Sequence, residues 1–234
     1  MFKHMTLNEA INARISRRAY LGTPIDAEKT ARLRELLDEY NKADGLSLRF
    51  IEDGGAAFGK LSKSYGMFKG VRSLFIIAGK TATPNLMEKL GYRGELLALE
   101  ATRLGLGTCW VGGTFDRNDP ALAVGDDETL GAVITVGNVA SEMRGRERLI
   151  RGLAHHGKKN ASNFYTADTE PPQWFKDGIS AVIKAPSAIN RQPVRFHLKS
   201  GVVTSSLVNP VGSGLIDLGI AKAHFEIASG VIPN

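Results

Sequence analysis

The sequence predicts an α+β fold: a central mixed sheet flanked by helices and built from two related half-folds. Three observations carry that expectation. VRSLFIIAG (71–79) and TLGAVITVGNVA (129–140) are nearly continuous apolar runs, the pattern of strands buried on both faces. GYRGELLALEATRLGLG and GSGLIDLGIAKAHFEIASG open with glycine and carry leucine-rich faces, which reads as two long helices. The order helix, strand with Arg-Phe, turn, helix also occurs twice, with Arg49-Phe50 in the first copy and Arg195-Phe196 in the second.

In chain order, Asn8 to Arg18 reads as an amphipathic helix, with Ile11 and Ile15 on one side. Gly22, Thr23 and Pro24 break it. Asp26 is placed to cap the next helix, Ala27 to Asn41, on which Leu33, Leu36 and Leu37 share a face. LSLRFIED alternates Leu46, Leu48 and Phe50 against polar neighbours, as a half-exposed strand does. A long helix spans Leu86 to Leu104 and stops at Gly105. The stretch ERLIRGLAHHGKKNASNFYTADTEPP (147–172) is polar and broken, and reads as a linker or a surface excursion. A helix over 173–184 follows. Pro186 ends it, having no N–H to give and disfavouring helix in the residue before it. A strand, a tight SGVV turn and the last helix, Gly214 to Ser229, complete the chain. The expected division is 1–166 for the first half and 167–234 for a second, shorter half, packed as a dimer fused into one chain.

Composition narrows the function classes. At 234 residues and 43% hydrophobic content the chain has ample material for a core, and no apolar run is long enough to cross a bilayer. The N-terminus lacks a signal-peptide core. A single cysteine, Cys109, excludes an internal disulfide and suits a reducing cytoplasm. The net charge of +6 suits a phosphorylated small molecule. The basic residues are dispersed, without the aromatic-interleaved stripe of a nucleic-acid surface.

Three stretches carry the candidate chemistry. ISRRAYLG places Arg17 and Arg18 at the end of the first helix, where one could reach a phosphate. GLGTCWVGG (105–113) looks too rich in glycine for a core strand and reads as a loop that lets the backbone approach a planar ligand, its N–H groups aimed inward. APSAINRQPVRF (185–196) brings Ser187, Asn190 and Gln192, all of which donate and accept. Each has an ordinary alternative: a cation at a helix end, a turn, a helix-to-strand loop. Cys109 has no adjacent base and reads as a small buried side chain. The side chains of His155 and His156 diverge, so they offer no metal site. No obvious catalytic acid or nucleophile is present, so a cofactor must carry any chemistry.

Taken together, RRAY, GLGTCWVGG, VGNVA and APSAINRQPVRF resemble the FMN-dependent nitroreductases. The family's Arg-Arg-Ser is matched by Arg17, Arg18 and Ala19, and its next basic residue by Leu21. Its Pro-Ser-x-x-Asn-x-Gln-Pro-Trp is matched by Pro186, Ser187, Asn190, Gln192 and Pro193, with Val194 for the tryptophan. In most of the family this block comes early and reaches a flavin in the other subunit; here it stands in the second half. That order resembles the branch in which two half-folds are fused as a pseudo-dimer. The resemblance implies one FMN per chain, with Gly107 and Thr108 toward the ring and Ser187, Asn190 and Gln192 on the opposite wall. Arg17, Arg18, Lys158 and Lys159 would hold the phosphate, with Arg148 as an alternative to the lysines. It further implies a ping-pong oxidoreductase taking a hydride from NADH or NADPH to a nitroaromatic or quinone-type acceptor. The same residues leave open a flavin-binding protein without turnover. A cytoplasmic chain sufficient as a monomer, with no nucleic-acid or membrane partner, completes the expectation.

Overall fold

The structure is a computed structural model and describes residues 5–59, 66–143, 160–208 and 212–234. Five helices are described: α1 (Leu7–Ala13), α2 (Ala27–Asp44), α3 (Leu86–Arg103), α4 (Gln173–Val182) and α5 (Gly214–Ser229). Four strands form one sheet in the order β1-β2-β4-β3: β1 (Arg49–Ile51), β2 (Ser73–Lys80), β3 (Gly107–Val111) and β4 (Glu128–Gly137). A second sheet joins β5 (Tyr165–Ala167), β6 (Val194–Lys199) and β7 (Val202–Leu207). The fold is α+β as the sequence predicts, but the four-stranded sheet is antiparallel throughout. The parallel pairing lies in the second sheet, between β5 and β6.

The apolar runs behave as their composition requires. β2 is buried from Ser73 to Gly79, and β4 is buried from Ala132 to Gly137, because helices and loops cover both faces. Leu46, Leu48 and Phe50 all point into the core, although the regular strand is only three residues long.

The first helix is shorter than its periodicity suggests. Thr6 and Glu9 form a reciprocal capping box at its start, satisfying two otherwise orphaned N–H groups. It ends at Ala13, and Arg14 is already extended. Ser16 then bridges Thr108 in parallel and the Arg17 N–H donates to the Thr108 carbonyl at 2.8 Å. Pairing with β3 thus overrides the helical pattern of residues 14–18, and the arginine pair sits on extended chain. Asp26 occupies the N-cap position of α2 but makes no side-chain cap; its carboxylate lies 3.6 Å from the Lys29 ammonium.

GLGTCWVGG also departs from expectation. Residues 107–111 are a strand, paired from Gly107↔Gly137 to Val111↔Val133 and largely buried. The glycine content is explained by close packing. A Cβ on Gly107 would collide with Val139 and the Arg17 stem, whereas Gly112 and Gly113 face open space. Cys109 is free and buried.

One core cluster spans both expected halves of the chain. Leu33, Phe75, Leu90 and Ile134 pack in the same cluster as Ala185, Ile216 and Ile220. The centre of this packing is the α3–α5 crossing. A Cβ on Gly91 would strike the Ile216 carbonyl, and a Cβ on Gly219 would strike the Glu88 carbonyl. Both helices therefore approach backbone to backbone. Of the stretch read as a linker, residues 160–172 include Phe164, fully buried in the core under β6, and β5, which straddles the expected division at 166.

Candidate functional site

A buried ionic cluster draws the three sequence blocks toward one another. Glu95, completely buried on α3, is its hub. Trp110 of β3 donates its indole N–H to Glu95 Oε2 at 2.7 Å. His224 of α5 places Nε2 2.8 Å from Glu95 Oε1, while its Nδ1 faces the Ala181 carbonyl of α4 at 3.0 Å. A carbonyl only accepts, so Nδ1 carries a proton. Arg14, three residues before the arginine pair, sits with Nε 3.3 Å from Glu95 Oε1. Burial pushes the Glu95 carboxyl upward, but the Arg14 charge and the hydrogen bonds from His224 and Trp110 outweigh it and hold the group below its ordinary value. The carboxylate is therefore ionised at neutral pH.

A second link is direct. Lys184, two residues before Pro186, donates from Nζ to Asn12 Oδ1 of α1 at 2.5 Å. The end of α4, the exit of α1 and the start of β3 are thus held on adjoining elements.

Within that frame the candidate residues are placed as follows. Arg17 is almost fully buried; its Nη2 donates to the Ala140 carbonyl at 3.0 Å, and its stem packs on Gly107. Tyr20 fixes this segment by donating to the Arg17 carbonyl at 2.8 Å and meeting Thr135 Oγ1 at 2.7 Å. Arg18 and Ala19 continue the extended chain alongside Lys69; the Lys69 N–H donates to the Arg18 carbonyl at 2.9 Å. Thr108 is buried, and Leu21 is largely exposed. Lys158, Lys159 and the alternative Arg148 lie outside the described residues, as do His155 and His156.

The 185–193 loop is internally braced. The Gln192 N–H donates to Ser187 Oγ at 2.8 Å, and Gln192 Nε2 donates to the Ile183 carbonyl at 2.6 Å, closing the end of α4. The Ser187 hydroxyl, an acceptor here, keeps its own proton to donate. Ile189, Asn190 and Gln192 all take left-handed φ values, of 45°, 56° and 50°. For Ile189, β-branched and four-fifths exposed, that is an unusual conformation with no packing reason behind it. Backbone of this kind collects at functional sites.

Asp217 of α5 lies beneath the loop. It is buried, accepts the Ala188 N–H at 3.1 Å, and lines a small cavity with Pro186, Ser187, Gln192 and Val182. Burial pushes its carboxyl up to about 6, partly offset by the Ala188 hydrogen bond.

Sequence reasoning missed Glu95, His224, Trp110, Arg14 and Asp217. The signal was present for Glu95. It stands four residues after Gly91 and three before Ala98, on the buried stripe of a helix that also buries Glu100. Among the described residues, no group of three or more His, Cys, Asp or Glu could hold a metal, and no helix is long and apolar enough to cross a membrane.

The donor set suits a phosphorylated, planar ligand. The arginine pair lies on the segment that meets β3, and the hydroxyl and amide side chains lie on the loop that follows α4.

Comparison with known proteins gives the lineage. A family model described as "Putative TM nitroreductase" matches residues 6–229. A "putative nitroreductase" from Thermotoga maritima superposes with a TM-score of 0.64 at 22% identity, covering 97% of this chain and 85% of its own. An "FMN-dependent Nitroreductase" from Clostridium difficile gives 0.47 at 16% identity, covering 64% of this chain and 98% of its own. A Bacteroides thetaiotaomicron protein described as "Putative NADH dehydrogenase/NAD(P)H nitroreductase" gives 0.49 at 16% identity, covering 65% and 98%. No curated protein sequence matches the chain. The match of the family model over residues 6–229, almost the whole of this chain, places it in the TM nitroreductase family.

Proposed function

We propose that the chain is an FMN-dependent oxidoreductase that accepts a hydride from NAD(P)H and passes it to a nitroaromatic or quinone-type acceptor. The observation that carries this is the convergence on Glu95: one buried carboxylate ties β3, the entry to the arginine pair and, through His224 and Ala181, the helix that ends in the 185–193 loop. The flavin, when bound, would supply the two-electron chemistry.

The protein's residues bind and orient. Arg17 and Arg18 would hold the phosphate with charge-assisted bonds, which are about twice as strong as neutral ones. Lys158 and Lys159 are the further candidates for that charge. Gly107 and Thr108 would offer backbone N–H groups to the ring edge, where preorganised donors stabilise developing charge. Ser187 and Asn190 would meet the ring or ribityl chain from the facing loop. Pro186 and Gln192 give the loop its shape. The acceptor would follow the nicotinamide onto the same face, which makes the kinetics ping-pong.

We further infer that one chain serves as its own dimer. Leu33, Leu36 and Phe50 are buried, and so are Ile179, Val182 and Phe196, each 146 positions later. Gly91 meets Ile216 and Gly219 meets Glu88; both like pairs, Gly91 with Gly219 and Glu88 with Ile216, are 128 positions apart. Such reciprocity is what a two-fold interface requires. The 185–193 loop then supplies what a second subunit would bring.

A second reading, flavin binding without turnover, is favoured by Ala19 and Leu21, neither of which has a polar side chain to offer the cofactor. One experiment separates the two. The purified protein is expected to carry FMN bands that bleach under anaerobic NADH or NADPH and return with a nitroaromatic. Bands that do not bleach support the second reading, and a colourless protein that takes up no added FMN refutes both.

A further inference from the structure

Asp217 has no part in the chemistry above, and its position is costly. It is a buried acid whose described partner is a single backbone N–H. The charged groups on the elements packed around α5 are engaged elsewhere. On α3, Glu88 pairs with Lys222, Tyr92 with Glu226, and Glu95 with His224 and Arg14. On α4, Lys176 pairs with Glu170 and Asp177 with Gln173; just beyond it, Lys184 pairs with Asn12. On β6, Arg195 covers Phe164 and His197 lies between Thr166 and Ser206. Arg191, on the loop itself, is exposed. An asparagine or serine could accept one N–H without the desolvation penalty of a carboxylate.

The Val208 N–H beyond β7 holds the far end of the loop above Asp217, donating to the Pro193 carbonyl at 2.7 Å, and Asp217 holds its near end. Three of the loop's residues are left-handed, and its bonds from Gln192 to Ser187, Gln192 to Ile183 and Asn190 to Ser187 are local. The Asp217 contact with Ala188 reaches in from another helix, one residue before the left-handed run begins. We propose that Asp217 is a positioning residue for the cofactor loop: its carboxylate grips the Ala188 N–H and so sets the backbone of residues 189–192, from which Asn190 reaches the flavin. This rests on the flavin reading above. An ionised acceptor holds an N–H more strongly than a neutral one. Because burial lifts this carboxyl from 3.8 to about 6, the grip weakens as pH falls through that value. Flavin affinity is then linked to one proton on a residue that does not touch the flavin.

The test uses the full-length chain and added FMN. In the flavin-free protein, the Ala188 amide and the Asp217 carboxyl carbon are followed by NMR from pH 4.5 to 8; FMN dissociation constants are measured across the same range for wild type, Asp217→Asn and Asp217→Ala. The expected result is a common midpoint near 6 for the two signals. Wild-type affinity should fall several-fold more on acidification than that of Asp217→Asn, whose profile contains only ionisations common to both proteins, the FMN phosphate included. Asp217→Ala should bind about tenfold more weakly at pH 7.5, the loss of one charge-assisted bond. Superimposable profiles for wild type and Asp217→Asn overturn the proposal, as does an Asp217→Ala variant that binds FMN like wild type. Should Asp217→Ala fail to fold, the wild-type and Asp217→Asn comparison decides alone. An absence of FMN binding at every pH, with the Ala188 titration intact, refutes the flavin reading itself and is distinguishable from the outcomes above.

Discussion

Glu95 Oε1 lies 2.8 Å from His224 Nε2, joining two residues 129 positions apart at the centre of the molecule. The pair is completely buried, and Trp110 and Arg14 complete it. Ion pairs of this kind add little net stability compared with apolar packing, because desolvation offsets the attraction. Their geometry is demanding, however, and this one fixes α5 and β3 against α3. The cluster is therefore better understood as setting the alignment of the site than as strengthening the fold.

Glu95→Gln should be strongly destabilising, by about 3–5 kcal/mol, since it strands the Arg14 charge in the interior. Chemical denaturation at pH 7 measures it. The pH dependence has a definite sign. The Glu95 carboxyl is held below its ordinary 4.5, so its stabilising contribution is complete above that value and is lost as pH falls below it. The gap between wild type and Glu95→Gln should narrow in acid.

Gly91→Ala and Gly219→Ala should each cost roughly 1–3 kcal/mol or more, the range for overpacking, because the added methyl meets a backbone carbonyl that cannot rotate away. Thermal melts of the two variants should show losses of similar size. A mild effect at one position and a severe one at the other would argue against a reciprocal crossing.

Gly107→Ala separates the site from the fold. Its Cβ would press on Val139 Cγ1 and on Cγ and Cβ at the root of the Arg17 side chain. Stability should fall by about 1–3 kcal/mol. FMN affinity should fall further, because the displaced guanidinium is a proposed phosphate contact. Equal loss in both measurements would leave Arg17 with a packing role only.

Asp217→Asn should change stability in the opposite direction from most core substitutions. The Asp217 carboxyl is raised from 3.8 to about 6, so the folded state favours the neutral form. Its favourable contribution is complete below 3.8 and disappears as pH rises through about 6; keeping it ionised above that costs up to about 3 kcal/mol. Asparagine retains the acceptor for Ala188 without the charge. The variant should melt higher than wild type at pH 8, with the gap about halved at pH 5 and closed only below 3.8.

Much of this structure was legible in the sequence, for reasons that differ by element. α5 runs from Gly214 to Ser229 as its apolar pattern indicates, and β2 and β4 follow their unbroken hydrophobic runs. These elements obey their local composition because burial on several sides leaves no competing arrangement. Residues 14–18 did not follow their helical period, since the pairing of Ser16 and Arg17 with Thr108 depends on a strand 90 residues away. Residues 107–111 hid a strand behind glycines that serve close packing against Arg17. The Glu95 cluster was illegible for the same reason. Arg14, Glu95, Trp110 and His224 become partners only when α3 and α5 cross, and no spacing along the chain announces that.

The fused-dimer reading makes the most demanding prediction. The core cluster that holds Leu33 and Leu90 also holds Ala185, Ile216 and Ile220, so the two expected halves share one interior. In an obligate homodimer that interface forms between chains, and stability then rises with protomer concentration. On the fused-dimer reading the interface forms within one chain, so melting temperature and FMN occupancy should stay constant over a wide dilution series. Released flavin should approach one FMN per chain, because the single GLGTCWVGG strand has no second copy in the sequence. A chain cut before Asn160 removes β5, α4, the 185–193 loop and α5, and with them His224. It should retain no FMN and expose the faces of Leu90 and Gly91 that α5 covers. FMN lost on dilution together with dissociation of a dimer, or two FMN per chain, would show that the second half does not play the partner's part.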